Sequence, residues 1–350
     1  MQAPRAVGTH IFAGSFTIGM MEHFEVLCHL ESSNYGVETF NKNYPDIPVY
    51  SEVSDWPLEV LSEMDVDLVY GNPPCAPWAR QGLNNSLQTG RDWRDDDRLD
   101  CIHHHVEALR VIEPKFWVWE SVTRAFTAGR ELVQMIEDMV LEAGYSVTHF
   151  IHEANFLGSC QKRPRYMMIV HDRPINWEWP SFERTLLKDV WHKVENVKFK
   201  GVEARPTNDE IWERWQRLMP KLKPDQKLRE LWIEHHPDTK RGRPYNMVRR
   251  IDLNQPTKTL VGGVTWIHPT EDRFLDTNEM AVLMGYPDGY QWSSDKPIPI
   301  TCQISRGVCI EVADYIGRVL ADSLDNEPFD EPQVEIVDFK KKPGSREIIR

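Results

Sequence analysis

Three prolines surround one cysteine in Gly71-Asn72-Pro73-Pro74-Cys75-Ala76-Pro77, directly after the apolar run VDLVYGN. Proline removes backbone donors and stiffens the chain, so a thiol held this way at a strand end is placed to attack. A free cysteine is more commonly a small buried hydrophobe, and that reading stands beside it. Three more run ends carry groups of interest. The carboxylate of Glu120-Ser121-Val122, closing FWVWESV, could hold a proton or cap the next helix. Phe12-Ala13-Gly14-Ser15 is a turn whose small residue lets backbone approach a cofactor, and Glu31, closing EVLCHLE, could accept hydrogen bonds from ribose hydroxyls or lie on the surface. In QKRPRYMMIV, Arg163 and Arg165 sit two apart and would share one face of a strand, where they could act on a ligand or form a solvated edge. The run His103-His104-His105 cannot present three rings on one helical face, so no metal is expected.

These residues need a scaffold that brings run ends together. HIFAGSF, EVLCHLE, VDLVYGN, FWVWESV, YSVTHFIHEANF and RYMMIVHD are short and rich in β-branched and aromatic residues, which predicts strands. Helical spacing predicts helices over residues 34–44, 57–63, 98–112 and 129–143. Strand and helix alternate through the first 170 residues, the signature of an α/β fold with a mostly parallel sheet covered on both faces. In such sheets ligands bind beyond the carboxyl ends of the strands, and four of the candidate positions fall there. After His171 the pattern turns to proline, tryptophan and charge, then to a polar helix around Asp209–Leu218, so a second, smaller region begins. The apolar-periodic segment GVCIEVADYIGRVL predicts a helix packing back on the first domain, and the acidic-then-basic tail from residue 321 reads as loosely ordered.

At 350 residues the chain can bury a full core without staples. Its six cysteines include no CxxC pair and no secretory signal opens the chain, which predicts a reducing, cytoplasmic location. No stretch approaches the ~18 consecutive apolar residues of a membrane span. A net charge of −13 argues against coating nucleic acid through bulk charge. The run KRGRPYNMVRR, Lys240 to Arg250, is the local exception, with five basic residues and no acidic one.

From about residue 10 to 320 the sequence resembles the DNA cytosine C5 methyltransferases, with motifs in family order. FAGSFTIG resembles the loop that holds the methionine part of S-adenosyl-L-methionine, and NPPC resembles the proline-cysteine motif. Glu120-Ser121-Val122 is similar to the Glu-Asn-Val motif, and Gln161, Arg163 and Arg165 match Gln-x-Arg-x-Arg. QPTKTL, HPTEDRFLDTNEMAVLMGYPD and QISRGVCIEVADYIG resemble the closing motifs. The resemblance implies a Rossmann-like S-adenosylmethionine-dependent methyltransferase fold with a catalytic domain over 1–170 and 256–320. It implies a small target-recognition region over 171–255, with 321–350 as a C-terminal tail.

The resemblance also implies roles. Cys75 would add to C6 of a flipped-out cytosine, making C5 able to attack a sulfonium methyl, with Glu120 holding a proton against N3 and Arg163 and Arg165 steadying base and carboxylate. Phe12, Ala13, Gly14, Ser15, Glu31, Asp55, Asn72, Pro74 and Arg306 would line the cofactor. The polar segment after Cys75 would close over the DNA, with Arg80 or Gln81 near the vacated space. Lys240, Arg241, Arg243, Arg249 and Arg250 would hold phosphates, giving salt-sensitive binding by a monomer on double-stranded DNA, in a phage or restriction setting.

Several positions depart from the family pattern: Ser15-Phe16-Thr17 replaces a double glycine, Ala76 a glutamine, Ser121 an asparagine, and Ser305-Arg306 a Gly-Asn. A guanidinium at Arg306 could pair with a carboxylate, which makes carboxy-S-adenosyl-L-methionine and carboxymethyl transfer an alternative. The same chemistry on RNA and a catalytically silent DNA-binding homologue are the other two.

Overall fold

The computed structural model describes residues 3–32, 36–75, 78, 92–238, 240–263 and 265–350. The chain divides into two compact units, one made of 1–157, 163–183 and 307–350, the other of 158–162 and 184–306. By packing, the second unit is wider than the insert expected from the sequence, because short strands on both sides of the expected boundary pair within it.

The strands are β1 (Arg5–Thr9), β2 (Glu25–Leu30), β3 (Val49–Tyr50), β4 (Leu68–Gly71), β5 (Phe116–Ser121), β6 (Ser146–Glu153), β7 (Gln161–Lys162), β8 (Pro164–His171), β9 (Arg249–Arg250), β10 (Thr257–Lys258), β11 (Trp266–Ile267), β12 (Val334–Phe339) and β13 (Ser345–Ile348). Among the described residues, nine of them form the sheet of the first unit in the order β13-β12-β6-β8-β5-β4-β1-β2-β3. The chain is α/β with a mostly parallel sheet. β8 runs antiparallel to both β5 and β6, so its amino-terminal end meets their carboxyl ends. That reversal delivers Arg163 and Arg165 to the edge where Glu120 emerges.

Helices cover both faces. Residues 100–112 and 130–142 bury Ile102, Leu109, Val133, Ile136 and Val140 against Val69, Trp117, Trp119 and Met168 of the sheet. The segment GVCIEVADYIGRVL forms helix Ile310–Ala321, which packs on helix Ser15–Met20 so closely that a Cβ on Gly19 would fall 2.5 Å from that of Ala313. No helix among the described residues is long and apolar enough to cross a membrane.

Two sequence expectations are corrected. HIFAGSF is not a strand: the strand ends at Thr9, and His10 and Phe12 take positive φ of 51° and 54°, turning the chain into helix Ser15–Met20. The tail is not loose either. β12 lies parallel to β6 and buries Val334, Val337 and Phe339, with β13 antiparallel on its outer side. The run QVEIVDF is β-branched and aromatic, but the charges around it mask the signal.

The second unit has its own core of Trp212, Trp215, Leu218, Leu228, Trp232, Val248 and Phe274. Its parallel pairs β7–β10 and β9–β11 tie residues 161–162 and 249–250 to residues 257–258 and 266–267.

Candidate active site

β4 ends at Gly71, and Asn72-Pro73-Pro74 carry the chain off the sheet to Cys75, which is half-buried. The amide of Trp78 donates to the Cys75 carbonyl at 3.1 Å. Trp78 is fully buried between Trp93 and Trp119. Burial pushes the Cys75 thiol up, while the positive charges of Arg165 and Arg163 pull it back down and Glu120 pushes it further up. Arg165 and Arg163 are the charges that favour the Cys75 thiolate.

Glu120 sits at the end of β5, 2 % exposed. Its carboxylate is held on two sides, by Arg165 Nε at 3.2 Å from Oε1 and by Asn72 Nδ2, which donates to Oε2. Burial raises its pKa against the opposing pull of Arg165, Arg163 and Asn72. A carboxyl raised this way can keep a proton that it later shares with a base. Arg163, also buried, donates from Nη2 to the carbonyl of Gly307 at 2.7 Å, and burial lowers it from 12.5 to about 10. Arg165 therefore touches the carboxylate, while Arg163 acts on the same charges and also fixes the entry to helix Ile310–Ala321. Gln161 lies in the second unit, where its Nε2 donates to the carbonyl of Leu283 and its Oε1 accepts from the amide of Leu260.

The other edge of the site is the loop from β1. Gly14, at φ 91°, precedes helix Ser15–Met20, and the buried Ser15 Oγ has no hydrogen-bond partner. Glu31, buried after β2, accepts the Ile11 amide at 2.7 Å and is raised by burial to about 8. A Cβ on Gly36 would lie 2.4 Å from the Phe12 carbonyl carbon, so glycine is required there. Asp55 is exposed, and its neighbour Trp56 donates from Nε1 to the Glu31 carbonyl at 3.2 Å, which brings the two acids to one end of the sheet. The open turn, the unpartnered Ser15 hydroxyl and the buried Glu31 carboxyl fit an adenosyl cofactor with ribose hydroxyls. The side-chain Oδ1 of Asn72 is likewise buried without a partner.

The remaining expected residues divide. Pro74 is half-buried beside Cys75, and Arg306 ends helix Pro297–Arg306 in the second unit, exposed. Arg80 and Gln81 lie outside the described residues. Lys240 and Arg241 are exposed and Arg243 is half-buried. Arg249 and Arg250 are removed from the set of phosphate contacts, because both are buried. Arg249 pairs with Asp225 at 2.9 Å, and Arg250 donates to the carbonyls of Met219, His268 and Glu271 and pairs with Asp272.

The family model for C-5 cytosine-specific DNA methylases matches residues 11–322. The chain belongs to this family. It is a DNA cytosine-5 methyltransferase. The type II methyltransferase M1.HphI of Haemophilus parahaemolyticus is 24 % identical over 333 residues, 90 % of this chain and 86 % of that protein. The type II methyltransferase M.NgoFVII of Neisseria gonorrhoeae is 22 % identical over 325 residues, 87 % and 83 % of the two chains. Among solved structures, a prophage-encoded E. coli protein described as a DNA modification methyltransferase superposes with a TM-score of 0.70 at 18 % identity, covering 92 % of this chain and all of that one. At that identity the last likeness speaks for the fold of the methyltransferase alone.

Sequence reasoning missed two features of the site. One is the Asn72 amide on Glu120, since asparagine after a strand gives no hint of its partner. The other is His105, which the histidine run hid: His103 is exposed, His104 half-buried and His105 fully buried under the strand ends. Among the described residues no group of three His, Cys, Asp or Glu side chains is placed to hold a metal ion.

Proposed function

We propose that the enzyme transfers a methyl group from S-adenosyl-L-methionine to C5 of a cytosine turned out of duplex DNA, with Cys75 as the nucleophile on C6. The observation that carries this reading is the meeting of Cys75, Glu120 and Arg165 at one sheet edge, with a carboxyl raised by burial beside a thiol that two arginines pull toward its anion.

Cytosine C5 is a weak nucleophile, and a sulfur adding to C6 cures this by pushing an electron pair toward C5 and N3. Cys75 forms the S–C6 bond, and Glu120 supplies the proton that neutralises N3. Arg165 holds the Glu120 carboxylate once the proton has left, so the charge does not remain alone in a buried site. Phe12, Ala13, Gly14, Ser15, Glu31 and Asp55 would hold the cofactor, Glu31 through ribose hydroxyls, with Asn72 and Pro74 at its border toward Cys75. When bound, that cofactor supplies an electrophilic sulfonium methyl. Loss of the C5 proton to a base, return of the N3 proton to Glu120 and cleavage of the S–C6 bond then release Cys75 as its thiolate and restore the aromatic ring. Flipping costs about a few kcal/mol of stacking and pairing. Exposed Lys240 and Arg241 offer phosphate contacts that help offset it.

The test is incorporation of label from methyl-labelled S-adenosylmethionine into duplex DNA, single-stranded DNA and RNA, followed by mass analysis of the released nucleosides. The expected product is 5-methylcytosine from duplex DNA. Labelling of RNA alone, or a carboxymethylated nucleoside when the carboxylated cofactor is offered, would replace this reading.

A further inference from the structure

Behind the loop assigned to the cofactor runs a chain of buried and half-buried polar groups that the proposed chemistry does not use. His105 Nε2 lies 3.1 Å from the Val118 carbonyl, and its Nδ1 lies 2.8 Å from Thr9 Oγ1. Thr9 Oγ1 is 3.2 Å from His10 Nδ1, His10 Nε2 is 2.8 Å from Ser32 Oγ, and Ser32 Oγ is 3.3 Å from Cys101 Sγ. The direction of the protons from His105 to His10 follows from the first link. A carbonyl only accepts, so His105 carries its hydrogen on Nε2 and takes the Thr9 hydroxyl proton on Nδ1. Thr9 oxygen then accepts from His10 Nδ1–H, which leaves His10 Nε2 as an acceptor, so that the single Ser32 hydroxyl proton is shared between His10 Nε2 and Cys101 Sγ. Both rings are neutral, since burial lowers His10 to about 3 and His105 well below 6.5.

The chain ends on backbone that a protein does not adopt without support. His10 and Phe12 are non-glycine residues in the left-handed region. The bend at His10 is what turns the Ile11 amide onto Glu31. The root of the chain is Val118, two residues before Glu120. Its middle depends on Gly71, the residue that opens the Gly-Asn-Pro-Pro-Cys segment: a Cβ there would fall 2.3 Å from Thr9 Oγ1 and 2.8 Å from His105 Cε1. The His105 ring is also stacked on Trp117 at 4.3 Å and cannot swing away.

We infer that His105 is a positioning residue, which through Thr9 and His10 holds the β1 loop in its cofactor-binding form and couples that loop to the strands carrying Cys75 and Glu120. The inference rests on the reading of the Phe12–Ser15 loop as the cofactor site. Replacing His105 by phenylalanine keeps the stack on Trp117 and removes both hydrogen bonds, while glutamine offers one donor and one acceptor.

The experiment measures S-adenosylhomocysteine affinity by titration calorimetry, the KM for each substrate and the thermal midpoint. His105→Phe is expected to weaken S-adenosylhomocysteine binding and raise the cofactor KM about tenfold, with the KM for DNA within about twofold, and His105→Gln to recover most of the loss. Should His105→Phe fail to fold, Ser32→Ala at the partly exposed end of the chain is expected to weaken binding about threefold. Glu31→Ala serves as the control for the site itself. Unchanged affinity in the folded His105 and Ser32 variants, with binding impaired in Glu31→Ala, would overturn the relay alone. Unchanged affinity in Glu31→Ala would overturn the placement of the cofactor.

Discussion

Two clusters of basic residues looked alike in sequence and differ in the folded enzyme. Arg163, immediately before β8 and buried, and Arg165, at its start and half-buried, lie at an edge where their charge acts on Cys75 and Glu120. The five basic residues from Lys240 to Arg250 split, with Lys240 and Arg241 exposed and Arg249 and Arg250 spent on backbone carbonyls and carboxylates inside the second unit. A count of charges along the chain therefore misstates how many can reach a phosphate. What decides is whether the guanidinium finds internal acceptors, and a planar group with five donors finds them readily.

Substitutions can break that contrast in order of expected effect. Cys75→Ala should lower kcat on the order of a thousandfold or more, measured by methyl incorporation, because no other group replaces the bond to C6. Glu120→Gln keeps the contact geometry but cannot deliver a proton, and should cost about 10²- to 10⁴-fold in kcat with little change in cofactor KM. Arg250→Ala should act on stability instead, losing about 2–4 kcal/mol in denaturant unfolding by stranding several buried carbonyls. Lys240→Ala should leave that measurement unchanged.

A pH effect follows from Glu31. Its folded pKa of about 8 exceeds the ordinary 4.5, so between those values the folded state holds a proton that the unfolded state has released. Stability from this group is present below 4.5 and lost as pH rises through 8. The thermal midpoint of the wild type should fall more steeply across that window than that of Glu31→Gln. The smallest effect belongs to Lys240→Ala and Arg241→Ala, each of which should lower the salt dependence of DNA binding by about one unit of slope. Arg249→Ala and Arg250→Ala should not change that slope.

The alternation of strands and helices and the strand-end position of Cys75 and Glu120 were legible in sequence because each rests on local period or motif spacing, whereas which of Arg165 and its neighbour meets the carboxylate was left open. The turn at His10 was not, since its two left-handed residues are not glycines and are imposed by contacts from Ser32, Glu31 and Gly36. His105 was illegible for the same reason: its partners stand 13 and 96 residues away. β12 escaped notice because a short strand with charges at every second or third position resembles a polar tail until a neighbouring strand is known.

The central claim is that Cys75 attacks C6 of the target base. Duplex DNA containing 5-fluorocytosine traps that attack as a stable protein–DNA adduct, and digestion with mass spectrometry locates the modified peptide. The account predicts an adduct with the wild type carried on Cys75 and none with Cys75→Ala. An adduct on another cysteine, or methylated product formed by Cys75→Ala, would contradict it.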